Sequence, residues 1–231
     1  MKIYGLNKTT LLDYPGHVAA TVFTGGCNFR CPYCHNSSLV TGVGAAEVMP
    51  EEELFCFLDR RRGVLEGVCI TGGEPALHKD LGNFIRKIKE MGYLVKLDTN
   101  GYQPGVLWNL LEEGILDYIA MDVKGSRKRY GEASGIANMN LSRVEESIGM
   151  IRDSKIEYEF RTTVVKGLHT EEDMEDIGKW IAGCRAYYLQ SYRENENVLM
   201  PGYDSFDREE MEKFVEIARK YIDNAAVRGV E

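Results

Sequence analysis

Short β-branched runs alternate with amphipathic helical patterns along most of this 231-residue chain, and no other feature restricts its fold so severely. Neighbouring parallel strands need a crossover of a dozen or more residues, usually a helix, so repeated strand–helix pairs specify an α/β fold with a parallel sheet. Strands are expected at 17–24, 67–71, 93–98, 117–122, 157–165 and 186–191. Between them, residues 50–62 open with Pro50 and three Glu, a favourable first helical turn. Leu81, Phe84, Ile85 and Ile88 share one helical face, as do Leu141, Val144, Ile148 and Ile151. Thr170 followed by Asp173 reads as a capping box for a helix to about 182, and a shorter helix covers about 104–114. A helix at 207–222 turns Met211, Phe214, Val215, Ala218 and Ile222 inward. Six strands predict an open, partial (βα)6 barrel with outer helices rather than the closed eight-stranded form. The first 16 residues read as an added strand or hairpin that turns at Asp13-Tyr14-Pro15-Gly16.

No low-complexity stretch or linker marks a boundary, so residues 1–231 are expected to form one domain. The net charge of -8 argues against broad binding to nucleic acid, which needs Lys and Arg to displace counterions. The basic cluster Arg60-Arg61-Arg62 ends an expected helix, where cations suit the dipole. No apolar run approaches the roughly 20 residues that span a bilayer. The first eight residues carry no apolar signal region, so a cytoplasmic protein that binds no membrane is expected.

Chemistry concentrates first in Cys27, Cys31 and Cys34, spaced C-x3-C-x2-C on one short segment rich in Gly, Asn, Arg and Pro. A structural zinc site closes four ligands around its metal, and an ordinary cubane cluster takes four thiolates. Three thiolates leave one iron of a [4Fe–4S] cluster without a protein ligand, and an open iron can bind a small molecule. Zinc with His35 as a fourth ligand is the rival reading. It requires adjacent side chains, Cys34 and His35, to converge on one ion. Cys56, Cys69 and Cys184 lie in apolar patterns and are each expected as core thiols, with no disulfides.

Other suggestive residues follow the expected strands one by one, at the carboxyl ends where α/β sheets and barrels bind ligands. Gly72-Gly73-Glu74 follows the second strand, Asp98-Thr99-Asn100-Gly101 the third, and Asp122-Val123-Lys124 the fourth. Arg161 lies on the fifth and Arg193 follows the sixth. Each has a plain alternative: tight turns at Gly72-Gly73 and Asn100-Gly101, a surface ion pair for Asp122 and Lys124, a solvent-facing Arg161. Their shared rim favours a site.

The cysteine loop, with Tyr33 as the aromatic before Cys34, and the Gly72-Gly73-Glu74 motif together resemble the radical S-adenosylmethionine superfamily. The resemblance spans about Leu12 to Arg193. Asp13-Tyr14-Pro15-Gly16, Asp98-Thr99-Asn100-Gly101 and Tyr158-Glu159-Phe160-Arg161-Thr162-Thr163 make the chain similar to glycyl-radical-enzyme activases, closest to those of anaerobic ribonucleoside-triphosphate reductase. The resemblance implies a radical-SAM barrel whose [4Fe–4S] cluster is held by Cys27, Cys31 and Cys34. Its open iron would chelate the amino and carboxylate groups of S-adenosylmethionine. Glu74 and the Gly72-Gly73 backbone would receive the amino group, while Lys124 and Arg161 would meet the carboxylate. Tyr33, Cys34 and His35 would lie against the adenine, and Asn100 belongs to the same cofactor rim. Asp98, Thr99 and Asp122 resemble the oxygen ligands of a monovalent cation, although both carboxylates could instead orient ribose or Lys124.

Cleavage of the sulfonium by one electron would give a 5′-deoxyadenosyl radical that takes hydrogen from a glycine of a partner enzyme, with no side chain needed as acid or base. The implied partners are a glycyl radical enzyme and a flavodoxin- or ferredoxin-type electron donor, in an anaerobic setting. One departure stands out. Related activases can place a His after the last strand, where this chain has Arg193, so no adenine contact by His carries over; His169 is a fallback, or a loop histidine beside the Thr170 cap. The alternative is a small-molecule enzyme resembling 7-carboxy-7-deazaguanine synthase, and a third reading is an iron–sulfur electron carrier or sensor.

Overall fold

Among the described residues, eight strands form one sheet in strict chain order: β1 (Ile3–Thr10), β2 (Ala19–Thr24), β3 (Gly67–Gly72), β4 (Leu94–Thr99), β5 (Tyr118–Asp122), β6 (Glu157–Val164), β7 (Tyr187–Ser191) and β8 (Ala225–Arg228). The computed structural model describes residues 1–42, 44 and 47–229. β1 runs antiparallel to β2, and every later neighbour is parallel. β1 and β8 are the two edges, so the barrel is open and partial.

Helices fill the crossovers: α1 (Ser37–Thr41), α2 (Glu51–Arg60), α3 (Leu81–Glu90), α4 (Pro104–Glu113), α5 (Tyr130–Ser134), α6 (Leu141–Asp153), α7 (Glu171–Trp180) and α8 (Arg208–Arg219). Their apolar stripes pack on the outer face of the sheet. On α3, Leu81, Phe84, Ile85 and Ile88 are all buried. The capping box at α7 forms in full: the Thr170 hydroxyl accepts from the Asp173 N–H, and the Asp173 carboxylate accepts from the Thr170 N–H. The basic run closes α2, with Arg60 in its last turn.

Period-two alternation divides each strand between core and barrel interior. Val95 and Leu97 of β4 join the hydrophobic core, while Lys96 and Asp98 face Cys69 and Arg161 of other strands. This split makes the interior polar. It also explains a sixth-strand arginine among apolar neighbours: Arg161 points inward, 13% exposed, and not to solvent.

Three features depart from expectation. β8 adds a seventh parallel strand that sequence patterning did not suggest. α1 and α5 are also additional, each only five residues long. Cys69 and Cys184 are core thiols as expected, but Cys56 is exposed. The reason is helical geometry: α2 buries Leu54 and Leu58, and the position midway between them faces outward.

Candidate active site

The cysteine loop leaves β2 at Thr24 and is fixed from several sides. The Gly26 N–H donates to the Leu39 carbonyl of α1 at 2.7 Å, and the Arg30 N–H to the Ser134 carbonyl of α5 at 2.9 Å. Gly135, which ends α5 with φ 69°, comes so close that a Cβ there would lie 2.1 Å from the Arg30 carbonyl oxygen. A strap after β7 closes the other side, with the Met200 N–H donating to the Pro32 carbonyl at 2.8 Å and the Leu199 N–H to that of Cys34 at 3.1 Å.

Cys27, Cys31 and Cys34 thereby line one cavity of about 230 Å³. All three thiols are free. Burial pushes the Cys31 thiol up to about 12. Burial raises Cys27 as well, against the pull of the Phe29 N–H, which lies 3.4 Å from its sulfur. Buried thiols that resist ionisation need a metal to become thiolates, and iron–sulfur clusters use such a set. The amide Nδ2 of Asn28, buried and without a partner among the described residues, is a spare donor beside Cys27. Asn100 Nδ2 donates to Asn28 Oδ1 at 2.8 Å and stands 3.9 Å from the Cys27 sulfur. These residues fit a cluster with three protein sulfurs.

Gly72 and Gly73 are required by contact. Gly72 has φ +118°, and a Cβ would lie 2.3 Å from the Thr24 oxygen; a Cβ on Gly73 would lie 2.0 Å from the Gly26 oxygen. The Gly73 and Glu74 N–H groups donate to Thr24 and Gly26, both at 2.8 Å, so this turn is joined to the start of the cysteine loop. Glu74 lines the cavity but is only 1% exposed. Its carboxylate accepts from the Thr99 hydroxyl and the Asn100 N–H, both at 2.7 Å, and from the Ala76 N–H at 3.0 Å. Burial raises its carboxyl to about 7, although these three bonds pull the other way.

An ionic network forms the polar floor. Arg161 spans both aspartates, its Nη1 donating to Asp98 at 3.2 Å and its Nε to Asp122 at 2.9 Å. Lys124 donates to Asp122 at 2.9 Å, and Lys96 contacts Asp98 directly. Burial works against ionising Asp122, but Arg161 and Lys124 overcome it and hold the carboxyl at about 2. Asp98 is likewise held low by Arg161 and Lys96 in spite of burial. Lys124 stays protonated although burial opposes its charge, because the Asp122 carboxylate favours it.

Thus the cavity gathers Tyr33, Cys34, His35, Gly72, Gly73, Glu74, Asp98, Thr99, Asn100, Asp122, Lys124 and Arg161 with the other two cysteines. The surface-pair reading of Asp122 and Lys124 is corrected by their place in its wall. His35 turns its ring onto Tyr192, stacked at 5.5 Å and 8°, and its Nε2 bonds the Arg193 carbonyl at 2.7 Å. Arg193 itself is exposed and does not line the cavity; its guanidinium reaches the Gly229 carbonyl at 3.1 Å. His169 also lies off the cavity. Its Nδ1 accepts from the Val165 N–H and its Nε2 faces the Lys124 carbonyl at 2.9 Å, which assigns the proton to Nε2. Burial lowers its pKa, so it is a neutral structural tie beside the Thr170 cap. Thr163, Gln190 and Asn36 line the cavity without having been anticipated. Thr163 was legible in principle, since it lies two residues beyond Arg161 on the same face of β6.

Residues 21–181 match the family described as the Radical SAM superfamily. A protein of Methanocaldococcus jannaschii provisionally named a glycyl-radical enzyme activating enzyme is 32% identical over 242 aligned positions, covering 99% of this chain and 96% of its own. A pyruvate formate-lyase-activating enzyme of Clostridium pasteurianum is 33% identical over 130 positions, 53% of this chain and 52% of that one. Among solved structures, Streptococcus suis SuiB bound to S-adenosylmethionine superposes with TM-score 0.69 at 14% identity, over 89% of this chain and 49% of SuiB. The present chain therefore spans about half of SuiB, and the likeness concerns the fold. Among the described residues, no helix is long and apolar enough to cross a membrane.

Proposed function

The chain belongs to the radical SAM superfamily, and from that premise we propose that it is an activase that installs a glycyl radical on a partner enzyme. The observation that carries the reading is the convergence of Cys27, Cys31 and Cys34 on one cavity whose opposite wall is a cationic floor. His35, the rival fourth ligand, is engaged by Tyr192 and the Arg193 carbonyl instead. When bound, the three-cysteine cluster supplies an electron for reductive cleavage of S-adenosylmethionine, yielding a 5′-deoxyadenosyl radical.

The protein's own residues bind and orient. Lys124 and Arg161 offer cations to the methionyl carboxylate. The Gly72-Gly73 backbone and Glu74 face the amino group, with Glu74 also pinning Thr99 and Asn100 in place. Tyr33, Cys34 and His35 border the adenine position. No side chain is asked to move a proton.

The similarity to a protein named for glycyl-radical enzyme activation, over nearly the full length of both chains, supports a protein substrate. We assign as partner anaerobic ribonucleoside-triphosphate reductase, with a flavodoxin- or ferredoxin-type donor, a single cytoplasmic domain and an anaerobic setting. Anaerobic reconstitution with that reductase and S-adenosylmethionine, followed by electron paramagnetic resonance, should yield a glycyl doublet. Deoxyadenosine without a doublet on any co-encoded glycyl radical enzyme would return the chain to small-molecule chemistry of the deazaguanine-synthase kind.

A further inference from the structure

The expected monovalent-cation site at Asp98, Thr99 and Asp122 does not fit the side chains that surround it. All four carboxylate oxygens already face a protein cation. Asp98 takes Lys96 on one oxygen and Arg161 on the other; Asp122 takes Arg161 on one and Lys124 on the other. The third ligand is committed too. The Thr99 hydroxyl donates to Glu74 at 2.7 Å and accepts from the Gly101 N–H at 3.1 Å. A hard cation needs several oxygens turned toward it. Here those oxygens are turned toward nitrogen.

We infer that Lys96 and Arg161 take the place of a bound monovalent cation, so that the site holds S-adenosylmethionine without sodium or potassium. Lys96 carries the argument. It is 1% exposed, it sits 3.7 Å from the Cys69 sulfur and 5.8 Å above the Tyr118 ring, and Asp98 is its one ion-pair partner among the described residues. A buried ammonium cannot give up its only counter-charge cheaply. Any cation entering between the aspartates would strand Lys96 and meet Arg161 and Lys124 as like charges. Three cations against two carboxylates also leave the floor with one positive charge in excess, which suits an anionic carboxylate arriving from the cavity. Lys96 is thus a positioning residue, acting through Asp98 and Arg161.

This inference rests on reading the cavity as the S-adenosylmethionine site, and two independent readouts separate the two. The anaerobically reconstituted enzyme is exchanged into tetramethylammonium, sodium or potassium buffer, and S-adenosylmethionine affinity is measured by calorimetry. Thallium-205 resonance with thallium(I) acetate, with and without S-adenosylmethionine, reports a cation site directly. Affinity that stays within about twofold across the salts, and no stoichiometric bound thallium signal, is the expected result. A loss of about tenfold or more in tetramethylammonium, or one bound thallium per chain, overturns it. Failure to bind S-adenosylmethionine in every salt would sink the cavity reading, while the thallium signal still decides the cation question. Lys96→Met should create the missing site, weakening binding about tenfold in tetramethylammonium with recovery in potassium or sodium, whereas Lys96→Arg should remain indifferent to the salt. Salt-indifferent binding by Lys96→Met removes Lys96 from the argument. If that variant does not fold, the wild-type arms decide alone.

Discussion

Two ionic layers cross the barrel interior, and they are built to different rules. In the layer facing the cavity, Lys96, Arg161 and Lys124 surround Asp98 and Asp122, and the charges do not balance. One layer away, two residues before Arg161 on β6, Glu159 meets the Arg228 guanidinium in a two-pronged pair at 2.7 and 2.9 Å and accepts the Tyr118 hydroxyl at 2.8 Å. That layer is neutral and its acceptors are filled. A closed pair of this kind holds strands together, here fastening edge strand β8 to β6, whereas an unbalanced layer open to a cavity is prepared for a charged guest.

The contrast can be broken at either layer. The largest effect should come from the loop above the open layer: Cys27→Ala, Cys31→Ala or Cys34→Ala should abolish cluster loading and S-adenosylmethionine cleavage while leaving the fold intact, checked by iron content, optical absorption and circular dichroism. In the closed layer, Arg228→Met leaves Glu159 buried with half its partners and should cost about 3–5 kcal/mol of stability in chemical denaturation. If the layers are as distinct as drawn, the surviving folded fraction should bind S-adenosylmethionine normally; tenfold weaker binding would merge them.

Glu74, above the open layer, yields a pH prediction. Its carboxyl is raised from the ordinary 4.5 to about 7, so folding favours the protonated form. The stability this contributes is complete below pH 4.5 and is lost as pH rises through 7, a swing of at most about 3 kcal/mol. Glu74→Gln should flatten the denaturation midpoint across that window; an unchanged slope would mean that the three hydrogen bonds cancel burial. Smaller again, Lys124→Met should weaken S-adenosylmethionine binding by about 10–100-fold, the worth of one charged hydrogen bond, while Arg161 remains to pair Asp122. A larger loss of stability than of affinity would make Lys124 part of the scaffold.

What the sequence disclosed follows this division. Helical stripes and the Thr170 cap are local patterns, and the cysteine spacing places three thiols within eight residues, so the stripes, the cap and the shared cavity of the thiols were legible. The partners of the interior were not. Lys96 reads as a stray charge in Leu94-Val95-Lys96-Leu97, yet it shares a face with Asp98 by strand periodicity alone. Its role becomes visible only when β3, β5 and β6 bring Cys69, Tyr118 and Arg161 around it. β8 escaped because four residues with one arginine make no pattern, and its pairing with 187–190 spans the whole of α8. α5 escaped in a Gly- and Ser-bearing stretch for the same want of length. Arg193 lies off the cavity because its guanidinium is drawn to the Gly229 carbonyl beyond β8, a contact 36 residues away that residue type does not reveal.

The glycine contacts at Gly72 and Gly73 have a mechanical corollary. They let the β2 and β3 ends approach closely enough for the Gly73 and Glu74 N–H groups to tie the two into one jaw. The opposite jaw, residues 192–206, leans on the cysteine segment through two main-chain bonds at Pro32 and Cys34 and through the His35 ring, which stacks on Tyr192 and bonds the Arg193 carbonyl. Should a bulky polypeptide have to reach the chamber, the hinge belongs on that lighter side.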